Sequence, residues 1–392
     1  MSFPHRIRNP TTLAHREFGV PRRREPGTLA RMTGRRTTAL LLAAALFALA
    51  GCGTAEPAKS QPPVPRVQAS ASGLTLDGRP WWPAGLNAYQ LATDWSVNRG
   101  CGAEVDLDGF FGGLPEGSLT RFNAFQWLAI DKATGALDFT GIDNVFRAAE
   151  AHRQLVLPVL AAQDGSCGNE IFKSSEWYDG GWRSVAPGAL LSYEDWVATA
   201  VKRWQGSPSL AMWELIGEPE PLTPFHSCTD TAGETLRTFV DQAGGLVRSL
   251  DFRHPITLGM IGGGQCGTAG TDYEFVGASP ALDVLQYHDY GADGVPLPGD
   301  QYNGLAVHIE QAEHLRKPIL VGEIGQYSGA GCVSVEERAR EVAVKIDGQR
   351  AAGTAGALLW AFVPDPRHGE CTYDIGPDDP VRGVLRERNG TR

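Results

Sequence analysis

Apolar residues recur along the chain in eight short runs, at 82–86, 119–125, 155–160, 210–215, 256–260, 284–287, 319–321 and 357–362. Each run suits a strand buried in a parallel sheet. Most intervals between them carry the three-to-four-residue apolar spacing of an amphipathic helix, at 142–152, 193–204, 235–250, 305–315 and 335–352. Alternating strands and helices predict a parallel sheet. Eight repeats predict that the sheet closes into a (β/α)₈ TIM barrel rather than staying open and doubly wound. The 392 residues are ample for this, since such a barrel takes about 250. No strand is followed by a dinucleotide or phosphate-binding glycine motif; Gly262-Gly263-Gly264 lacks the lysine and the spacing.

The first part of the chain follows a different pattern. Arg35 and Arg36 precede an apolar run, 39–50, that ends at Gly51-Cys52. A basic segment, a short apolar segment and small residues make a secretion signal, and the run is short for a membrane span. Leu49-Ala50-Gly51-Cys52 looks like a bacterial lipobox, in which Cys52 becomes acylated after cleavage. The alternative is an ordinary secretory signal with Cys52 a bystander. The expectation is a removed region 1–51, with Met32 as the true start, and an exported protein held by a lipid at Cys52 on the outer face of the cell membrane. Residues 52–72 are rich in Ala, Pro, Ser and Gln and read as a flexible tether. The folded domain is then 73–392, and a monomer is expected.

The signal changes what charge and cysteine content mean. Residues 1–51 hold nine Arg and two Glu, so their removal takes the formal charge from −10 to −17. That disfavours nucleic acid and other polyanions as partners and suits a neutral substrate. Without Cys52, six cysteines remain: Cys101, Cys167, Cys228, Cys266, Cys332 and Cys371. In an exported protein they fit three disulfides. Fifteen pairings are possible, and sequential neighbours are favoured because each candidate pair lies near the same end of successive strand–helix units. None has CxxC spacing, so zinc is not expected, and no metal or organic cofactor is implied.

Reactive groups of a (β/α)₈ barrel sit at the C-terminal ends of its strands. The second run carries Arg121, Asn123 and Gln126, and the third ends at Gln163-Asp164. The fourth leads to Glu218, the sixth to His288 and Tyr290, the seventh to Glu323 and the eighth to Trp360. Two carboxylates facing each other across a barrel mouth suit cleavage of a glycosidic bond, one as protonated acid and one ionised. Arg121 can keep a neighbouring carboxylate ionised, His288 and Tyr290 can hydrogen-bond the nucleophile and the sugar, and Trp360 can stack beneath a pyranose ring.

These residues resemble glycoside hydrolase family 5, most closely its β-mannanase branch, and the resemblance spans the whole folded domain. GLTLDGRPWWPAGLNAY is similar to the family's opening hairpin and Gly-x-Asn-x-Tyr turn. RFNAFQW is similar to its Arg-x-Trp-Ala-Phe strand and AMWELIGEPE to its Trp-Glu-Leu-x-Asn-Glu-Pro strand. LQYHDY matches its His-x-Tyr element and KPILVGEIG its Lys-Pro-x-x-x-x-Glu-x-Gly. The resemblance implies a retaining mechanism with Glu218 as acid/base and Glu323 as nucleophile, supported by Arg121, His288, Tyr290 and Trp360. Mannan is the first substrate expected; a β-glucan or an unusual cell-wall glycan follows. The reading from another class is a glycan-binding lipoprotein on a decayed hydrolase barrel.

One departure bears on the chemistry. Gly217 stands where the family carries the asparagine that meets the sugar 2-hydroxyl. Three explanations compete: another donor such as Asn123 or Gln163 replaces it, the substrate presents that hydroxyl differently, or catalysis is weakened. Glu214 is expected to point into the barrel or into a salt bridge, Glu220 to lie on the rim, and Asp289, alternating with His288 and Tyr290, to face away. Trp95, Trp127, Trp177 and Trp182 are candidate sugar platforms, with packing favoured for any one of them.

Overall fold

Val67 and Ala69 alternate with exposed polar residues, and Leu74 answers them across the turn. This pattern makes β1 (Val67–Ser70) and β2 (Gly73–Leu76) an antiparallel pair, with Val67 opposite Leu76. Asp77-Gly78, both at positive φ, then turns the chain into β3 (Arg79–Trp81), as a two-residue turn of this hand requires. The computed structural model describes residues 66–164, 171–291 and 294–390. The expected signal region 1–51, Cys52, most of the tether and Cys167 lie outside them. The tether boundary at 72 is corrected: residues 67–70 are a paired strand, hidden by an Ala- and Ser-rich sequence that carries its apolar side chains only at alternate positions.

Eight parallel strands follow: β4 (Ala84–Asn87), β5 (Leu119–Asn123), β6 (Leu155–Val159), β7 (Trp213–Gly217), β8 (Ile256–Gly259), β9 (Leu285–Asp289), β10 (Ile319–Gly325) and β11 (Ala357–Trp360). They run β8-β7-β6-β5-β4-β11-β10-β9, and a parallel bridge between Thr257 and Val284 brings the two end strands together. The result is the predicted TIM barrel. Outside it lie α1 (Leu107–Gly112), α2 (Thr140–Ala151), α3 (Ser175–Tyr178), α4 (Tyr193–Trp204), α5 (Ala232–Leu250), α6 (Thr271–Gly277), α7 (Leu305–Leu315), α8 (Val335–Ala351) and α9 (Val381–Arg388). Local chemistry explains their bounds. In α4 the Ser192 hydroxyl accepts the Asp195 N–H at the start, acids fill the first turn and Lys202 and Arg203 the last, which caps the helix and complements its dipole.

Two cores result. The larger lies between strands and helices, with Trp82, Phe122, Trp196, Phe239 and Ile346 among its members. The smaller joins Val67, Leu74 and Trp81 of the hairpin to Leu119, Leu155, Leu320 and Leu358, so the hairpin plugs the N-terminal end of the barrel. The opposite end is left for polar residues. Cys228 is bonded to Cys266 and Cys332 to Cys371, tying loops at that end; Cys101 is also disulfide-bonded. Among the described residues no helix is long and apolar enough to cross a membrane.

Candidate active site

β7 ends at Gly217, and the next residue, Glu218, takes a left-handed backbone at φ 57°. A side chain rarely adopts that conformation, and it costs about 1–3 kcal/mol. Strain at a carboxylate on the barrel mouth points to a role for that carboxylate. The bend is fixed by the Glu218 N–H donating to Gly259 O at 2.9 Å. On the far side of the mouth β10 runs four residues further than Val321, the end expected from sequence, so that Glu323 lies within a fully buried strand. A carboxylate oxygen of Glu218, one of Glu323 and a His288 ring nitrogen all lie within 4.8 Å of one another.

The neighbours divide the two carboxylates between them. Arg121 Nη1 donates to Glu323 Oε1 at 2.5 Å and to Asn87 Oδ1 at 2.9 Å. Its other edge grips Glu214 through Nε at 2.8 Å and Nη2 at 2.6 Å. Tyr290 donates its hydroxyl to Glu323 Oε2. His288 Nδ1 meets Glu218 Oε1 at 2.8 Å and lies 3.5 Å from Glu323. Asn123 and Trp360 line the same cavity of about 300 Å³ as the two glutamates. All seven candidate residues therefore meet in one place. Glu218, His288 and Glu323 are also the described residues whose donor atoms converge enough to hold a metal. Both Glu323 oxygens are already engaged, one by a guanidinium that repels a cation, so the donor set suits proton chemistry better.

The expected bystanders stand aside. Glu214 is buried in the barrel against Arg121 and Gln286. Glu220 accepts the Cys266 N–H. Asp289 turns outward to Lys345 and Gln349 of α8. Trp177 and Trp182 pack with Tyr193 and Phe239, Trp127 is nearly buried, and only Trp95 of the four candidate platforms stays well exposed. Three residues outside the candidate set complete the site, two of them, Asn87 and Tyr89, from the Gly-x-Asn-x-Tyr turn. Asn87 supports Arg121, Tyr89 stacks on Trp360 at 5.6 Å and 14°, and Gln286 donates to Glu214 at 2.9 Å. Asn87 and Tyr89 end the first barrel strand, so the strand-end rule that found the others applies to them too.

The two carboxyls are shifted in opposite directions in the open site. Burial raises the Glu323 carboxyl despite His288, Arg121 and Tyr290. Burial also raises Glu218, but the His288 hydrogen bond and the charges of His288 and Arg121 outweigh it and hold Glu218 below its ordinary value. The Glu218 side chain is 42% exposed and that of Glu323 4%. Covering the mouth would take water from Glu218 and raise its carboxyl, whereas Glu323 has little water left to lose.

The geometry also narrows the Gly217 question. The Gln163 amide is spent: its nitrogen donates to Lys173 O and Glu220 O, and its oxygen accepts from Tyr178 and the Glu220 N–H. Asn123 lines the cavity and stays a candidate donor. A Cβ at residue 217 would stand 2.9 Å from Arg121 Nη2. The glycine makes room for the arginine that serves Glu323. A larger cavity, about 420 Å³, lies under the hairpin at the other end of the barrel. Its acids, Asp77 and Glu116, are paired with Arg66 and Arg153 at the surface, so it offers no such chemistry.

No family model matches the chain. A putative mannan endo-1,4-beta-mannosidase 9 of Oryza sativa subsp. japonica is 27% identical over 347 residues, covering 75% of this chain and 80% of that protein. A second rice protein, putative mannan endo-1,4-beta-mannosidase 5, is 24% identical over 342 residues, covering 74% and 68%. Among solved structures, a glycoside hydrolase family 5 mannosidase from Rhizomucor miehei superposes with a TM-score of 0.57 at 12% identity, covering 83% of this chain and 96% of that one. By sequence the chain is a distant relative of the endo-1,4-β-mannosidases, and its fold is the barrel found in family 5 (β-mannanase branch).

Proposed function

We propose that the chain is a retaining glycoside hydrolase that cuts β-linked mannan, with Glu323 as nucleophile and Glu218 as acid/base. The observation that carries this is the pair of facing glutamates, each contributing an oxygen within 4.8 Å of the other. Retaining enzymes keep their carboxyls about 5–5.5 Å apart and inverting ones about 6.5–9.5 Å apart, and the short separation here supports the retaining reading. Glu323, oriented by Arg121 and Tyr290, attacks the anomeric carbon while Glu218 delivers its proton to the departing oxygen. Glu218 then takes a proton from water, which displaces Glu323 and restores the starting configuration. Arg121 keeps its grip on Glu323 throughout, and Trp360 with Tyr89 supplies an aromatic surface for the ring. Mannan as substrate draws its support from the names of the relatives.

The test is release of reducing ends from β-mannan, β-glucan and bacterial cell-wall glycan, with Glu323→Gln as control and NMR of the first-formed anomer. Cleavage of mannan with retention is expected. Cleavage confined to another glycan would replace the substrate, an inverted product would remove Glu323 from its role, and binding without cleavage in the wild type would favour the glycan-binding reading. The chain is also proposed to be exported as a monomer and held by a lipid at Cys52, on the signal pattern of residues 35–52. Globomycin, which blocks lipoprotein maturation, is then expected to leave a larger precursor; no change in size would remove the anchor.

A further inference from the structure

Gln286 stands two residues before His288 on β9, so both side chains leave the strand on the same face, towards the barrel interior. Both are buried. Gln286 Oε1 and His288 Nε2 have no hydrogen-bond partner in place among the described residues. They are also neighbours. A Cβ on Gly322 would stand 1.9 Å from Gln286 Oε1 and 3.2 Å from His288 Nε2, so the two atoms share the space over that bare backbone.

The other end of the carboxamide settles which way it faces. Its nitrogen donates to Glu214 Oε2 at 2.9 Å and to Thr257 Oγ1 at 3.2 Å, which uses both N–H groups. Glu214 accepts from Arg121 through both of its oxygens, and a carboxylate gripped in this way accepts only. A flipped carboxamide would set its own oxygen against that carboxylate. The oxygen is therefore turned towards the His288 ring. A bare Nε2 would leave two acceptors buried side by side, each short of a hydrogen. A proton on Nε2 serves both.

We infer that Gln286 is a positioning residue that fixes the tautomer of His288, its oxygen accepting the Nε2 proton. The two ring nitrogens are linked: once Nε2 carries the proton, a neutral ring offers only a lone pair at Nδ1. Nδ1 meets Glu218 Oε1 at 2.8 Å and Glu323 Oε1 at 3.5 Å. One proton is then held between Nδ1 and Glu218, on Glu218 when it serves as acid and on the ring when Glu218 is ionised. When Glu218 gives that proton to the departing oxygen, its carboxylate faces a bare lone pair, which favours taking the next proton from water. The opposite tautomer would donate from Nδ1 and hold Glu218 as an anion, idle as an acid. This use of the tautomer rests on the reading of Glu218 as acid/base.

The experiment reads the tautomer by nitrogen NMR of the full-length protein carrying isotope-labelled histidine, with His288→Gln to assign the signal. The neutral ring is expected to carry its proton at Nε2 in the wild type. In Gln286→Met, which keeps the length and loses the carboxamide, it is expected at Nδ1. Gln286→Met is also expected to lose about tenfold or more in kcat/KM on phenyl β-mannobioside, whose leaving group needs an acid. It should lose much less on the dinitrophenyl analogue, whose leaving group departs without one. A proton at Nδ1 in the wild type would overturn the inference, whether or not the variant folds. Equal losses on the two substrates would overturn it too, as the mark of a purely structural role, and both results leave the hydrolase reading intact. A wild type inactive on both mannobiosides and on mannan would overturn the hydrolase reading and, with it, the catalytic use of the tautomer.

Discussion

The barrel carries a histidine–carboxylate pair at each end, and the two have opposite characters. At the N-terminal end, between α5 and β8, Asp251 accepts from His254 at 2.6 Å, from the Trp213 indole at 3.1 Å and from the Arg253 and His254 backbone N–H groups. Its side chain is wholly buried, and its hydrogen-bonding capacity is used up. At the C-terminal end, the Glu218 carboxylate has His288 as its one hydrogen-bond partner among the described residues and stands half in solvent. His288 Nε2 meets no more than the Gln286 oxygen inferred above. The backbone of Glu218 is strained, whereas Asp251 sits in an ordinary extended conformation at the end of its helix. Identical side-chain chemistry is satisfied where it must hold the fold and left unsatisfied where it must hold a substrate.

Three substitutions break this comparison if it is wrong. The largest effect is expected from Glu323→Gln. Activity falls by about 10⁴-fold or more, as when a covalent nucleophile is lost elsewhere, while the urea midpoint moves little, because Arg121 keeps Glu214 as its ion-pair partner and burial already disfavours the Glu323 charge. A clear drop in the midpoint would mean that the upper site, too, is built for stability. Asp251→Asn should do the reverse: about 3 kcal/mol less stable, from breaking a buried charged pair, with kcat unchanged in the folded fraction. The pH dependence follows. Burial raises the Asp251 carboxyl, but His254, Trp213 and the Arg253 backbone hold it well below the usual range. A carboxyl lowered in the folded state stabilises above about pH 4 and loses that contribution as pH falls. Wild type is therefore expected to lose stability below about pH 4 more steeply than Asp251→Asn, and parallel curves would count against the pair. The smallest effect is expected from Tyr290→Phe, which removes one hydrogen bond to a charged group. That is worth about 1.5–3 kcal/mol, or roughly 10- to 100-fold in kcat/KM, with no change in the unfolding midpoint.

Much of this was legible in the chain, for physical reasons. Buried parallel strands are continuous apolar runs, so all eight barrel strands were visible. Their ends were less so. The run 210–215 anticipates β7 by three residues, because Leu210, Ala211 and Met212 are fully buried before the ladder begins. The run 319–321 stops at Gly322, although β10 continues to Gly325; an apolar count cannot see a strand that carries on through a glycine and a glutamate. Short α1, α3, α6 and α9 have too few turns to show periodicity. Glu218, Glu323, Arg121, His288 and Tyr290 were legible because strand ends in a barrel converge. Hidden from the sequence was the choice of partners, such as Arg121 dividing itself between Glu214 and Glu323.

Gly217 also constrains how this protein can change. A side chain there meets Arg121 Nη2, which Glu214 holds at 2.6 Å. An asparagine placed at that position would disturb the guanidinium that serves Glu323. Loosening the Arg121–Glu214 contact to admit a side chain would leave a buried charge short of its partner. The bare backbone at 217 therefore couples the end of β7 to the nucleophile across the barrel: the packing of one residue is felt at Glu323 through the guanidinium they share.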